Sequence, residues 1–383
     1  MGPRNRCLNS DAPTARDFQA PLPPAPTNPP NFADVQRDIL TNMAQENKTV
    51  LAFDSTKSYG PLYIKLAWQC FNTFRQTDYQ GGCNGARIRF SPQKDWAANK
   101  FMDDAMRLLQ PIKTKYGDSL TWADLIVLAG TTALIDAASK AGVTVSIPFI
   151  GGRSDAIENE GYRIPKELEQ RIQGGLDTDV SIRMRDAAII MGLTDREFVA
   201  LMGGGHGLGR LHKERSAFVD GTWTTTPGLL NNEYFKTLQN QSLTWLRIGS
   251  SPNIYWSAKM SETKNVSMLH ADMQFYFDPM YRAIVQEYAQ NPDIFYTDFS
   301  SAWYKIMTVD MYGIDTTQPA PSTGDSSEDD GLSDGSVIGI AIAIGVGAPV
   351  FFLINWYIYQ TKYGKSSGGS GAVNIETRNP VIR

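Results

Sequence analysis

The chain has 383 residues, enough for a catalytic domain with appendages or for two ordinary domains, and 42% hydrophobic with 20% charged residues excludes a wholly disordered, collagen-like or multispanning protein. A formal charge of -4, from 36 basic against 40 acidic side chains with no long basic run, gives no electrostatic basis for nucleic acid as the partner. Three cysteines (Cys7, Cys70 and Cys83) without a CxxC pair exclude a disulfide framework or a zinc finger and predict that any important cysteine acts alone, while three histidines (His206, His212 and His270) confine imidazole chemistry to the second half of the chain.

Residues 1–30 carry eight of the 21 prolines and read as an extended, disordered arm. The opening Met-Gly is followed by Pro3 and Arg6, which a myristoylation signal does not favour, and no apolar run follows to make a signal peptide. Residues 31–315 are evenly mixed, lack repeats and show mostly helical apolar spacing, which predicts one large domain. Two helix starts are legible within it, Thr121 to Asp124 and Thr194 to Glu197, where a threonine oxygen and an acid three residues on can cap reciprocally.

Residues 316–336 are polar and acidic and read as a solvated linker. Residues 337–359 are uncharged and span about 34 Å as a helix, enough for a bilayer core, which predicts a single transmembrane helix. Trp356, Tyr357 and Tyr359 suit an interfacial belt; Gly339, Ala343 and Gly347 either let two helices approach or reflect the ordinary tolerance of glycine in membranes. Residues 360–383 form a short polar tail. Acids before the span and Lys362 and Lys365 after it place the tail in the cytosol, whereas insertion after synthesis would leave the main domain there, with which free cysteines agree. Both orientations stay open, and sequons at Asn47, Asn240 and Asn265 do not decide between them.

The most specific local feature is LMGGGHGLGRLHKERSAFVDGTW, Leu201 to Trp223, an imidazole among glycines near the end of a capped helix, where glycine permits close approach of something flat or bulky. This segment resembles the proximal segment of class I haem peroxidases, the ascorbate and cytochrome c peroxidase group. The likeness extends over about residues 31–315. GPLYIKLAW ending at Trp68 resembles the distal helix, Asn99 its supporting residue, Ile147-Pro148-Phe149 with Gly152-Arg153 a haem-edge segment, and LHADMQF supplies Asp272. The resemblance implies an all-α fold of two helical bundles sandwiching haem b. By it His206 is the axial iron ligand, Asp272 orients that ligand and makes it more basic, and Trp223 holds a radical during electron transfer. Pro148, His212, Ser216 and Trp223 are implied haem contacts, and Arg215 a contact for a small anionic reductant such as ascorbate, with cytochrome c as the protein alternative.

The departure lies on the distal side. The family presents Arg, Trp and His at i, i+3 and i+4, whereas this chain presents Lys65, Trp68 and Gln69. A glutamine amide cannot take and return a proton, and lysine keeps a charge but loses the planar fork of arginine. Cys70 is either a thiolate sixth ligand to the iron, although it lies about 100° around the helix from Gln69, or a small buried thiol packed between helices. The expected function is a membrane-tethered haem protein with impaired peroxide cleavage, a pseudoperoxidase, acting on hydrogen peroxide or a related oxidant such as peroxynitrite in oxidative stress. The alternative is a non-catalytic haem-based redox or ligand sensor.

Overall fold

The protein is represented by a computed structural model that describes residues 22–45, 58–157, 180–213, 219–250 and 253–311. The acidic linker, the 337–359 span, the tail, Arg215, Ser216 and most of the arm lie outside the described residues. The described end of the arm, residues 22–30, carries neither helix nor strand, as its prolines require.

A first set of helices, α1 (Phe32–Met43), α2 (Gly60–Phe71), α3 (Met102–Tyr116) and α4 (Trp122–Lys140), packs together around α4. Every residue of α4 from Ala123 to Leu134 is buried. Among the described residues α4 is the helix long and apolar enough to cross a membrane, and its burial assigns that apolarity to the core. At Gly130 a Cβ would lie 2.5 Å from the Cβ of Ala67, so the close crossing of α2 over α4 depends on the missing side chain.

A second set comprises α5 (Val180–Ile190), α6 (Asp195–His206), α7 (Glu233–Gln239), α8 (His270–Phe277), α9 (Pro279–Gln290) and α10 (Pro292–Thr308). α10 lies along α6 and reaches the first set, where the Trp303 indole donates to the Thr131 hydroxyl on α4 at 3.0 Å. The fold is thus mostly helical, but the all-α expectation needs correction. β1 (Leu246–Ile248), β2 (Tyr255–Lys259) and β3 (Asn265–Leu269) form an antiparallel sheet in that order, with Trp256 opposite Met268. Strands of three to five residues are too short to show a period against a helical background. The sheet matters because β3 runs directly into α8 and thereby fixes where α8 begins.

The predicted capping box at Thr194 forms in both halves: its hydroxyl accepts from the Glu197 N–H, and the Glu197 carboxylate accepts from the Thr194 N–H at 2.8 Å. The one at Thr121 forms only in part. The Thr121 hydroxyl caps the Asp124 N–H, but the Asp124 carboxylate turns to the Gly152 N–H and the buried Arg153 guanidinium, both at 2.8 Å. Asp155 takes the Trp122 and Ala123 N–H groups instead. Asp278 caps α9 and accepts a two-point bond from Arg185 of α5 at 2.7 and 2.8 Å; that bonding holds its carboxyl below the ordinary range.

Candidate functional site

α2 is buried on every side but one. Its residues that escape burial are Lys65, Trp68 and Gln69, whose spacing puts them on a single face. The Lys65 ammonium donates to the Arg210 carbonyl at 3.3 Å, so this face lies against the segment that follows His206. The Gln69 side-chain oxygen accepts from Asn72 Nδ2 at 2.9 Å, which leaves its amide N–H end as the remaining polar group. The Gln69 carbonyl accepts from Gln93 Nε2 at 3.1 Å, and the Gln93 carbonyl from Asn99 Nδ2 at 2.7 Å. Asn99 therefore supports Gln69 at second hand, and its buried Oδ1 has no protein partner.

Cys70 is not a candidate iron ligand. Its sulfur is bonded to that of Cys83 at 2.06 Å, with the two Cα atoms 4.7 Å apart. A disulfide sulfur carries no thiolate charge to donate, and both residues are buried. This overturns both readings of Cys70 as a free thiol, the expectation that each cysteine acts alone, and the use of free cysteines as a sign of the cytosol. The disulfide ties the distal helix, one residue past Gln69, to the loop whose Asn84 N–H is accepted by Asp310 at 2.8 Å.

Below, the structure brings His206, Trp223 and Asp272 into one unit. His206 closes α6, and its Nδ1 lies 2.6 Å from Asp272 Oδ1 in the first turn of α8. Asp272 Oδ2 accepts from the Trp223 indole at 2.8 Å and from the Leu269 N–H at 2.7 Å. The Trp223 and His206 rings stack with centroids 4.4 Å apart and planes 14° from parallel. Burial alone would raise the Asp272 carboxyl, but the nearby imidazole and the hydrogen bonds of His206, Tyr234 and Trp223 together hold it below the ordinary carboxylate range. A carboxylate at that spot only accepts, so Nδ1 is the donor in this pair and Nε2 is the nitrogen left for a ligand. The His206 side chain is 23% exposed whereas that of Asp272 is 1% exposed: the ring emerges from a dry cradle in the way histidine is offered to a metal. An imidazole anchored on a buried carboxylate fits the axial ligand of an iron porphyrin.

Two of the three glycines before His206 permit close approach by core rings, and a Cβ on Gly205 would meet nothing within 4 Å. A Cβ on Gly203 would meet Phe235 at 2.3 Å, and one on Gly204 would meet Phe299 at 2.5 Å. His212 is buried beside the bridge between Leu211 and Gly221, and Pro148 is exposed on the segment leading to Arg153. Sequence reasoning missed two groups. One is Cys83, and the other is Tyr234 on α7, whose hydroxyl donates to Asp272 Oδ1 at 2.7 Å. Nothing in the mostly polar run NNEYFKTLQN around it marked it.

A carboxylate-anchored histidine at the end of one helix, with a partly exposed face of Lys65, Trp68 and Gln69 on another in a fold of packed helices, is a donor set that fits a haem protein. The peroxidase family profile matches residues 45–291. A mitochondrial cytochrome c peroxidase of Pyricularia oryzae is 34% identical over 281 residues, covering 72% of this chain and 71% of that protein. Catalase-peroxidases of Pseudomonas entomophila and Aspergillus oryzae are 32% and 31% identical over 327 and 338 residues, each covering 82% of this chain. The chain spans only 42% and 43% of the length of those two proteins. The chain belongs to the class I haem peroxidase family, whose cofactor is haem b.

Proposed function

We propose that this chain is a membrane-tethered haem protein with impaired peroxide heterolysis, acting in the oxidative-stress response on hydrogen peroxide or a related oxidant such as peroxynitrite. The observation that supports it is the open face of α2, where Gln69, its oxygen tied to Asn72, occupies the position of a proton shuttle. Bound haem supplies the redox chemistry. His206 would hold the iron, Asp272 keeps its Nδ1 side engaged, and Trp223, stacked on the ring, is placed to give up an electron. Across the pocket a proton must leave one peroxide oxygen and reach the other, and the Gln69 amide titrates for neither act. Lys65 keeps positive charge near the departing oxygen without the arginine fork.

Loss of a positioned base costs about 10² to 10⁴ in rate and loss of one oxyanion donor about 10² to 10³, with non-additive effects. An oxidant with a better leaving group depends less on the missing shuttle. For the reductant, the likeness to a cytochrome c peroxidase supports cytochrome c, and Arg215 with His212 supports ascorbate. Residues 337–359 supply the tether. The test is rapid mixing of the ferric protein with a small excess of peroxide: slow spectral change is expected, and change at the rate of an unimpaired peroxidase overturns the reading.

A haem-based sensor is a second reading, favoured by the orientation of Gln69. With its oxygen engaged, this face of α2 offers N–H groups from Lys65, Trp68 and Gln69 and no base of its own, a set that retains an anionic ligand without processing it. Tight ligand binding with negligible turnover distinguishes it.

A further inference from the structure

The carboxylate beneath the site carries one side-chain donor more than the trio of His206, Trp223 and Asp272 uses. Tyr234 places its hydroxyl on Asp272 Oδ1, the same oxygen that faces His206 Nδ1, at 2.7 and 2.6 Å respectively. A buried hydroxyl needs an acceptor somewhere, and a main-chain carbonyl would satisfy it. This one competes instead for the atom that draws the proton of the axial imidazole.

We infer that Tyr234 is a positioning residue that sets how strongly His206 donates to the iron, by drawing charge from the carboxylate oxygen that the two share. A carboxylate with fewer donors pulls harder on Nδ1–H, gives the ring more imidazolate character and favours the ferric state. The tyrosine opposes that pull. It is built to remain a donor, since burial and the neighbouring Asp272 charge raise its phenol well above the ordinary value. Its ring is fixed apart from the hydroxyl: it meets His206 edge-on at 6.2 Å between centroids and Phe235 at 5.5 Å, and a Cβ on Gly203 would crowd its Cδ1 at 3.0 Å. Removing the oxygen therefore changes the electronics of the site more than its packing.

This inference rests on His206 as the axial ligand. The experiment uses the haem-loaded full chain and compares wild type with Tyr234→Phe by the ferric/ferrous midpoint potential and the iron–histidine stretch of the ferrous protein. Tyr234→Phe should lower the potential by an amount equal to about a tenfold change in the ferric-to-ferrous ratio, about 59 mV for one electron, and raise the stretching frequency. Site-specific 3-fluorotyrosine at position 234, which keeps the ring and strengthens the donor, should move both the other way and guards against a variant that fails to fold. A potential and stretch that neither replacement moves, even with a lowered melting temperature, would reduce Tyr234 to a structural role and overturn the inference. Absence of any iron–histidine stretch in wild type would instead remove His206 as ligand and this inference with it.

Discussion

Asn72, which ends the distal helix, and Gln69, one turn earlier, hold each other by their side-chain amides at 2.9 Å. The bond assigns Gln69 a fixed direction, so its failure as a base is a matter of both chemistry and geometry. Meanwhile Asn99 Oδ1 stays buried without a partner nearby in the chain's own atoms. On the proposed reading, that unused acceptor is available to an imidazole introduced on the distal face.

Lys65→Arg with Gln69→His should accelerate the reaction with peroxide by at least about 10²-fold, the lower bound for restoring a positioned base. Adding Asn99→Ala to that pair should forfeit part of the gain by releasing the new imidazole. Stopped-flow absorbance measures all three, and a double variant no faster than wild type would locate the defect away from the distal face.

Cys70→Ala should leave the ferric and ferrous spectra unchanged, because the sulfur is already bonded to Cys83. The same change should lower stability by about 3 kcal/mol, the loop-closure value for a ring of this size. Thiol titration of the unfolded, unreduced chain should find one free cysteine, Cys7, against three after reduction. Three before reduction would refute the bridge.

Asp272→Ala strands donors on His206, Trp223 and Tyr234 within a buried cradle. Unsatisfied buried donors cost about 1–3 kcal/mol each, so denaturant melts should show a loss of at least about 3 kcal/mol together with poor haem retention. A loss under 1 kcal/mol would mean that the cradle opens to water.

Much of this site is legible in the sequence, for identifiable reasons. His206, Trp223 and Asp272 are marked by dense local patterns, and the distal substitution is visible because Lys65, Trp68 and Gln69 follow helical spacing. What escapes is set by the return of the chain from a distance. Cys83 is thirteen residues from Cys70, and only a folded loop brings the pair together. Asp124 looks like half of a capping box until Arg153, 29 residues later, claims it. Tyr234 differs from its neighbour Phe235 by one oxygen, and only the structure shows where that oxygen goes.

Acid should expose the bond between α5 and α9. The two-point contact of Arg185 holds the Asp278 carboxyl below its unfolded value, so its contribution to stability is fully present above about pH 4 and disappears as the pH falls through the folded value. Asp278→Asn should therefore be less stable than wild type by a constant margin from pH 5 to 7, and the two curves should converge in stronger acid. A margin that persists at pH 2 would assign the effect to packing.

Four separate stretches deliver a hydrogen to one carboxylate: the close of α6, the loop at Trp223, α7, and the end of β3. No single stretch holds the imidazole in its fixed direction by itself. The oriented imidazole, as opposed to a bare one, exists only where these distant pieces have met, so the firmness with which a preparation keeps its colour reports on the assembly of that half of the molecule.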